Sequence, residues 1–287
     1  MRICDKFKEK SCVFSIEVFP PKKVGASIES LYPTLESLSK LNPDYISVTY
    51  GAGGGKASDA TGKIAAHIKN DLHIESLAHL TCVNATKEQV EQTLATLKAE
   101  NVENILALRG DINPDVPRQV DFMHASDLAR TITQTGEFGV AGACYPEGHV
   151  ESNSLKEDVD NLHYKVEAGV THLITQLFFD NISYYRFLNM TRKAGISLPV
   201  QAGIMPIVNK RQIQRTVALS SASLPPQFTK MIAKYDNDEQ ALFDAGIEYA
   251  VEQIRDLING GADGIHLYAM NNEVVAQRVY QGICDLL

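Results

Sequence analysis

The sequence predicts an α/β fold, a single (β/α)8 TIM barrel occupying residues 1–287. Three observations carry that expectation. Short β-branched or aromatic runs alternate with longer amphipathic stretches from end to end, the pattern of parallel strands joined by crossover helices. The strand-like runs number eight, the count that closes a parallel barrel. No second compositional regime, Gly/Pro/Ser linker or internal repeat marks a domain boundary. A doubly wound open sheet shares the same local pattern and stays open as the alternative.

The elements follow in order. Val13, Phe14, Ile16, Val18 and Phe19 read as a first strand, 13–19, stopped by Pro20-Pro21. A helical pattern over 27–41 leads to a second strand, 45–50, and another over 58–70 to a third, 76–81. Thr86 and Gln89 form a capping box ahead of Val90, Leu94 and Leu97, which starts a helix over 86–101. Strand 104–108, helix 125–134, strand 139–143 and helix 154–168 come next, with Gly169 as the stop. Strand 172–176, helix 182–194 with Gly195 as its stop, strand 200–204 and helix 210–219 continue the alternation. Ser220, Ser221, Pro225-Pro226 and the acidic Asp236–Glu239 read as an extra loop plus a short helix over 220–240. Helix 241–259, strand 264–268 and helix 272–286 complete the chain.

Composition narrows the function. With 287 residues, 44% of them hydrophobic, the chain can bury about three quarters of its unfolded surface without a disulfide or metal staple. A net charge of −8 supplies no global basic field for nucleic acid or anionic membrane, although a local basic pocket is compatible with it. Cys4, Cys12, Cys82, Cys144 and Cys284 are odd in number, widely spaced and without a C-x-x-C pair, which fits reduced thiols. The eight histidines form neither H-x-H nor H-E-x-x-H, so no metal site is expected. The apolar run behind the lysine-rich Met1–Lys10 is short and holds Glu17, so it fits neither a signal segment nor a membrane span. A cytoplasmic location is the simplest expectation.

Polar residues gather where the predicted strands end. Glu17 ends the first and Thr49 the second; His79 and Thr81 end the third. Arg109-Gly110-Asp111 follows the fourth and Tyr145 the fifth, while Gln176 ends the sixth and Tyr268 the eighth. In a parallel barrel these ends form one rim, and the rim carries the active site. Glu17 is the sharpest of them. A carboxylate in an unbroken apolar strand is costly unless it is paired or neutral, and the neutral form is what a general acid needs at pH 7. The other reading is a structural carboxylate bonded to a neighbouring strand. Thr49-Tyr50-Gly51-Ala52-Gly53-Gly54-Gly55-Lys56 resembles a phosphate-cradling loop, but it fails both G-x-G-x-x-G and the P-loop template. Asp158, Asn161 and Lys165 share one helix face at i, i+3 and i+7, an array suited to a ribose and a phosphate or simply to solvent.

The ordered series Phe14-Ser-Ile-Glu17-Val-Phe-Pro-Pro21, Val48-Thr49-Tyr50-Gly51-Ala52, Ala78-His79-Leu80-Thr81-Cys82, Leu106-Ala-Leu-Arg109-Gly110-Asp111, Tyr145-Pro-Glu147-Gly-His149 and Ile174-Thr175-Gln176-Leu-Phe-Phe-Asp180 resembles the methylenetetrahydrofolate reductases over essentially the whole chain. The length resembles the catalytic barrel of bacterial members. That resemblance implies an FAD-containing barrel that reduces 5,10-methylenetetrahydrofolate to 5-methyltetrahydrofolate, with NADH or NADPH as donor, in a cytoplasmic homo-oligomer. It implies Glu17 as the acid that protonates folate N10. Asp111 is implied between flavin and folate, where its charge stabilises the developing cation, and Gln176 as a folate contact. FAD contacts carried over are Thr49, His79, Arg109, Gly110, Asp111, Ala125, Tyr145, Asp158, Asn161 and Lys165, with Arg109 and Lys165 as cations for the pyrophosphate.

Three positions depart from the pattern. Lys210 stands where bacterial members carry an aromatic that stacks on bound substrate, and Asn272 stands where an arginine helps to bind folate. Tyr164 stands for a basic residue of the FAD helix. Lys210 is expected to weaken stacking of a nicotinamide, which leaves room for a protein partner as electron donor. Two alternatives stay open: another flavin barrel of proline-dehydrogenase type, and a folate-binding subunit of a larger complex.

Overall fold

Strands with both faces covered are written as continuous apolar runs, and β1 (Val13–Val18) is buried at all of its positions. The computed structural model describes residues 1–21, 26–50, 55–112, 119–213, 216 and 222–287. In chain order follow α1 (Ile3–Glu9), β1, a 3-10 turn (Ile28–Leu31) running into α2 (Tyr32–Ser39), β2 (Tyr45–Val48), α3 (Gly55–Asn70), β3 (Glu75–Thr81), α4 (Lys87–Ala99) and β4 (Asn104–Leu108). Then come α5 (Ala125–Gln134), β5 (Gly139–Cys144), α6 (Leu155–Glu167), β6 (His172–Thr175), α7 (Asn181–Lys193) and β7 (Val200–Ile204). The chain ends with α8 (Pro226–Lys234), α9 (Glu239–Asn259), β8 (Gly264–Leu267) and α10 (Glu273–Ile283).

All eight strands pair in parallel and in sequence order, and β1 closes on β8 through Val13↔Gly264 to Ile16↔Leu267. The barrel is therefore closed, and the open-sheet alternative falls. Strand ends differ slightly from expectation. β2, β6 and β8 stop at Val48, Thr175 and Leu267, so Thr49, Gln176 and Tyr268 stand on the loops just beyond. The Thr86–Gln89 capping box is present, at 3.3 Å and 2.9 Å. Helix is described over 210–213 of the predicted 210–219, while Ser220, Ser221 and Gly51–Gly54 lie outside the described residues.

One element was not expected. The lysine-rich start forms α1, whose Ile3 is wholly buried with Val13, Tyr45, Leu77, Leu106, Ala141 and Ile174, with Phe7 packed beside them. Ile3 N donates to Asn104 Oδ1 at 2.8 Å, while Lys10 and Lys6 reach Asp44 at 2.9 Å and 3.8 Å. α1 thus plugs the amino-terminal end of the barrel, and only the carboxyl end is left to open.

The larger apolar core lies between strands and helices, where α4 contributes Val90, Leu94 and Leu97. Inside the barrel the packing is partly polar. Gln201 Nε2 donates to Ser15 Oγ at 3.0 Å, and Tyr45 donates its hydroxyl to Gln201 Oε1. Gly203 makes room for this interior: a Cβ there would lie 2.4 Å from Thr175 O and 2.6 Å from the Tyr268 ring. Among the described residues no helix is long and apolar enough to cross a membrane, and no cluster of His, Cys, Asp and Glu could hold a metal.

Candidate active site

Strand order puts the carboxyl ends of β1 to β6 around one cavity of about 900 Å³. Glu17, Thr49, His79, Arg109, Gly110, Asp111, Tyr145 and Gln176 all line it, as do Thr81 and Tyr268. Eight of the residues expected at the site are thus brought together by the barrel alone.

Glu17 sits at the floor, 6% exposed. Its Oε2 lies 3.5 Å from His79 Nε2 on β3 and 3.5 Å from His266 Nε2 on β8. The His79 contact lacks hydrogen-bond alignment. Burial drives the His79 pKa down to about 4, against the pull of Glu17 and with a further push from His266, so the ring is neutral at pH 7. Among the described residues Glu17 faces no lysine or arginine; its neighbours are imidazoles and the cavity. His266 Nδ1 is in turn 2.7 Å from Ser15 Oγ, which joins the carboxyl to the polar interior. Sequence reading missed His266. The signal was there: a histidine alternating with Ile265 and Leu267 at an inward position of a buried strand, the same argument that singled out Glu17.

Higher on the rim, Gln176 N donates to Cys144 O at 2.8 Å, and Gln176 Oε1 accepts from Leu177 N at 2.9 Å. Its amide nitrogen is left for the cavity. Tyr268 donates to Thr175 O at 2.7 Å, and burial with the nearby Glu17 keeps its phenol protonated. Burial also raises the Tyr145 phenol to about 12. Gly110 has φ +88, and a Cβ there would meet Thr81 Cβ and Val83 Cγ1 at 3.1 Å. The turn after β4 therefore requires glycine and forms a close-fitting wall. Arg109 is held by Glu151 in a bidentate pair, a partner that sequence reading did not find; acids on loops carry no periodic signal.

The α6 array resolves into three different environments. Asp158 is buried, with Oδ1 accepting from Ser152 Oγ at 3.2 Å and Oδ2 buried without a partner; burial raises its pKa. Lys165 is half-buried and donates to Ala143 O, an atom of the cavity wall's own strand; burial lowers its pKa. Asn161 is exposed. Ala125, the first residue of α5, is half-buried. None of these four lines the cavity itself. Of the three departures, Lys210 is exposed with its Nζ 2.8 Å from Asp236 Oδ1, Asn272 caps α10 by accepting from Val275 N at 3.1 Å, and Tyr164 is 59% exposed.

A family model described as methylenetetrahydrofolate reductase matches residues 2–283. The chain belongs to that family. It is 35% identical over 257 residues to the 5,10-methylenetetrahydrofolate reductase of Pectobacterium carotovorum subsp. carotovorum, covering 90% of this chain and 85% of that protein. It is 32% identical to the Buchnera aphidicola subsp. Baizongia pistaciae protein of the same name, covering 100% of this chain and 93% of that one. Against methylenetetrahydrofolate reductase (NADH) 1 of Arabidopsis thaliana the identity is 33%, over 94% of this chain and 49% of the plant protein. A solved Clostridium thermocellum protein, described as binding two copies of 5-methyl-5,6,7,8-tetrahydrofolic acid, shares the fold with a TM-score of 0.66 at 12% identity over 99% of this chain and 98% of that one.

Proposed function

We propose that this chain, acting as one catalytic barrel over residues 1–287, reduces 5,10-methylenetetrahydrofolate to 5-methyltetrahydrofolate with FAD as its resident cofactor. The observation that carries the reading is Glu17, a buried carboxyl with no lysine or arginine partner among the described residues, on the floor of a large rim cavity in a member of this family. The residues fit a flavin dinucleotide. The buried Asp158 Oδ2 has no hydrogen-bond partner among the described residues, and the cavity volume lies in the range of cofactor sites. Thr49, His79, Arg109, Gly110, Asp111, Ala125, Tyr145, Asp158, Asn161 and Lys165 are the residues proposed to hold it. Asp158 suits a ribose hydroxyl, and Arg109 with Lys165 suits the diphosphate. When bound, FAD supplies the hydride.

The chain's own residues handle charge and protons. Glu17 donates a proton to folate N10, which releases the N10–methylene bond and leaves an iminium at N5. Asp111 stabilises that cation electrostatically, and the amide nitrogen of Gln176 donates to the pterin. Neutral His79 lines Glu17 without acting as a fixed cation, so the carboxyl can give its proton away and recover it. NADH or NADPH is the proposed source of electrons.

Anaerobic titration of the purified protein tests the reading. Its visible absorbance should show bound flavin, which bleaches with the donor and recovers on adding methylenetetrahydrofolate. A yellow protein inert toward both methylene- and methyltetrahydrofolate overturns it and favours another flavin barrel.

A further inference from the structure

We propose that Asn271 is a positioning residue for Glu17, acting by extending the β1–β8 ladder with its side-chain amide where the backbone ladder ends. The proposal rests on the reductase reading above.

Backbone register between β1 and β8 stops at Ile16↔Leu267. Glu17 is the next residue, and Pro20-Pro21, which has no N–H to offer, follows soon after. Among the described residues, no strand pairs with the β8 side of residues 17–19. Beyond β8 the chain turns through two successive left-handed residues, Met270 at φ 55 and Asn271 at φ 57. This turn returns the Asn271 side chain to β1. Its Oδ1 accepts from Phe19 N at 2.8 Å, and its Nδ2 donates to Phe19 O at 2.8 Å. A primary amide presents one acceptor and one donor side by side, as a strand peptide does, so both polar groups of Phe19 are satisfied.

Glu17 is therefore bracketed. The ladder fixes residue 16, and the amide clamp fixes residue 19. On the opposite edge β2 holds the same stretch through Val18↔Val48, and Thr49 N donates to Val18 O at 3.0 Å. β8 also places His266 3.5 Å from the Glu17 carboxyl, so one strand and its turn set both backbone and side chain of the acid. Asparagine suits the task on two counts. It tolerates the left-handed region better than other non-glycine residues, and it carries the donor that aspartate lacks.

Two variants separate the amide from the backbone turn. Asn271→Gly keeps the left-handed conformation and deletes the clamp; Asn271→Ala deletes the clamp and adds strain. With dithionite-reduced FAD protein, both should slow single-turnover reoxidation by methylenetetrahydrofolate by about 10²-fold, the cost of a ~1 Å misplacement of a catalytic group. The dissociation constants for FAD and methyltetrahydrofolate should stay within about threefold of wild type, because a positioning role acts on the proton step rather than on binding. In the cofactor-free protein, amide exchange at Phe19 should quicken by about tenfold or more in both variants. Asn271→Gly with a wild-type folate step overturns the proposal, as does unchanged Phe19 exchange. Parallel loss of FAD binding and folate reduction also overturns it, since it marks a structural role. If the wild-type flavoprotein itself is not reoxidised by methylenetetrahydrofolate, the reductase reading fails and this proposal fails with it.

Discussion

Arg109 and Glu151 form a bidentate ion pair at the mouth of the cavity, with Nη1 to Oε2 at 2.6 Å and Nη2 to Oε1 at 2.7 Å. This is the fork geometry a guanidinium offers to a phosphate, so Glu151 occupies the face of Arg109 that the proposed diphosphate would use. The carboxylate also raises the Arg109 pKa further. Its exposure keeps the pair weak, about 0.5–1 kcal/mol. Glu151→Gln should therefore tighten FAD binding to the apoprotein by about 2–5-fold at low salt, and added salt should shrink the gain. Arg109→Gln should weaken binding. Flavin fluorescence quenching measures both; weaker binding in Glu151→Gln would mean that Glu151 orients Arg109 instead of occupying it.

Glu17→Gln removes the proton while keeping the shape of the floor. Among the described residues Glu17 has only His79 and His266 in ion-pair range, so the neutral amide strands no cation there and the fold should persist. The FAD spectrum and reduction by the donor should be preserved, while folate reduction falls by about 10²–10⁴-fold, the usual weight of a general acid. Stopped-flow absorbance separates the two half-reactions. Folate turnover near the wild-type rate would remove Glu17 from the role.

The strands were legible because parallel strands covered on both faces are nearly all apolar; β1, β2 and β6 are buried at every position. Their order then placed Glu17, His79, Arg109, Tyr145 and Gln176 on one rim without further information. α1 was not legible, since its only buried residue is Ile3 and one residue sets no period. The Asn271–Phe19 clamp and the Arg109–Glu151 pair escaped for another reason. Both join residues distant in sequence, 252 and 42 positions apart, through loops whose course local pattern does not encode. On α6 the spacing puts Asp158, Asn161 and Lys165 on one face, but spacing cannot say that Asp158 is buried while Asn161 is exposed.

Two buried histidines tie stability to acid. Burial lowers the pKa of His79 to about 4 and of His172 to about 3, with His266 adding to both and Glu17 opposing at His79. The unfolded chain titrates near 6.5, so below that pH it binds protons that the folded form refuses. Stability is complete above pH 6.5 and declines as pH falls toward 4, at up to ~1.4 kcal/mol per pH unit for each ring. Denaturant midpoints between pH 7 and 4.5 should show this decline. His172, whose Nε2 is buried without a partner, is the one to alter: His172→Gln should make the profile shallower, and an unchanged slope would show that His172 is not a source.

Lys210 bears on the electron donor. It stands at the start of the helix after β7, exposed, its Nζ 2.8 Å from Asp236 Oδ1, at the position where the resemblance to bacterial members implies a stacking ring. An ammonium held toward an acid offers no flat apolar face. Flavin reduction by NADH should accordingly be slow in the wild-type protein. Lys210→Phe should raise kcat/KM for NADH by about tenfold, the equivalent of one aromatic contact of ~1.4 kcal/mol. Lys210→Ala is the control, because it frees Asp236 without supplying a ring and should give no gain. Rapid, saturable reduction of the wild-type flavin by NADH would show that the donor docks without stacking here. Slow reduction in all three proteins would move the search to a protein donor.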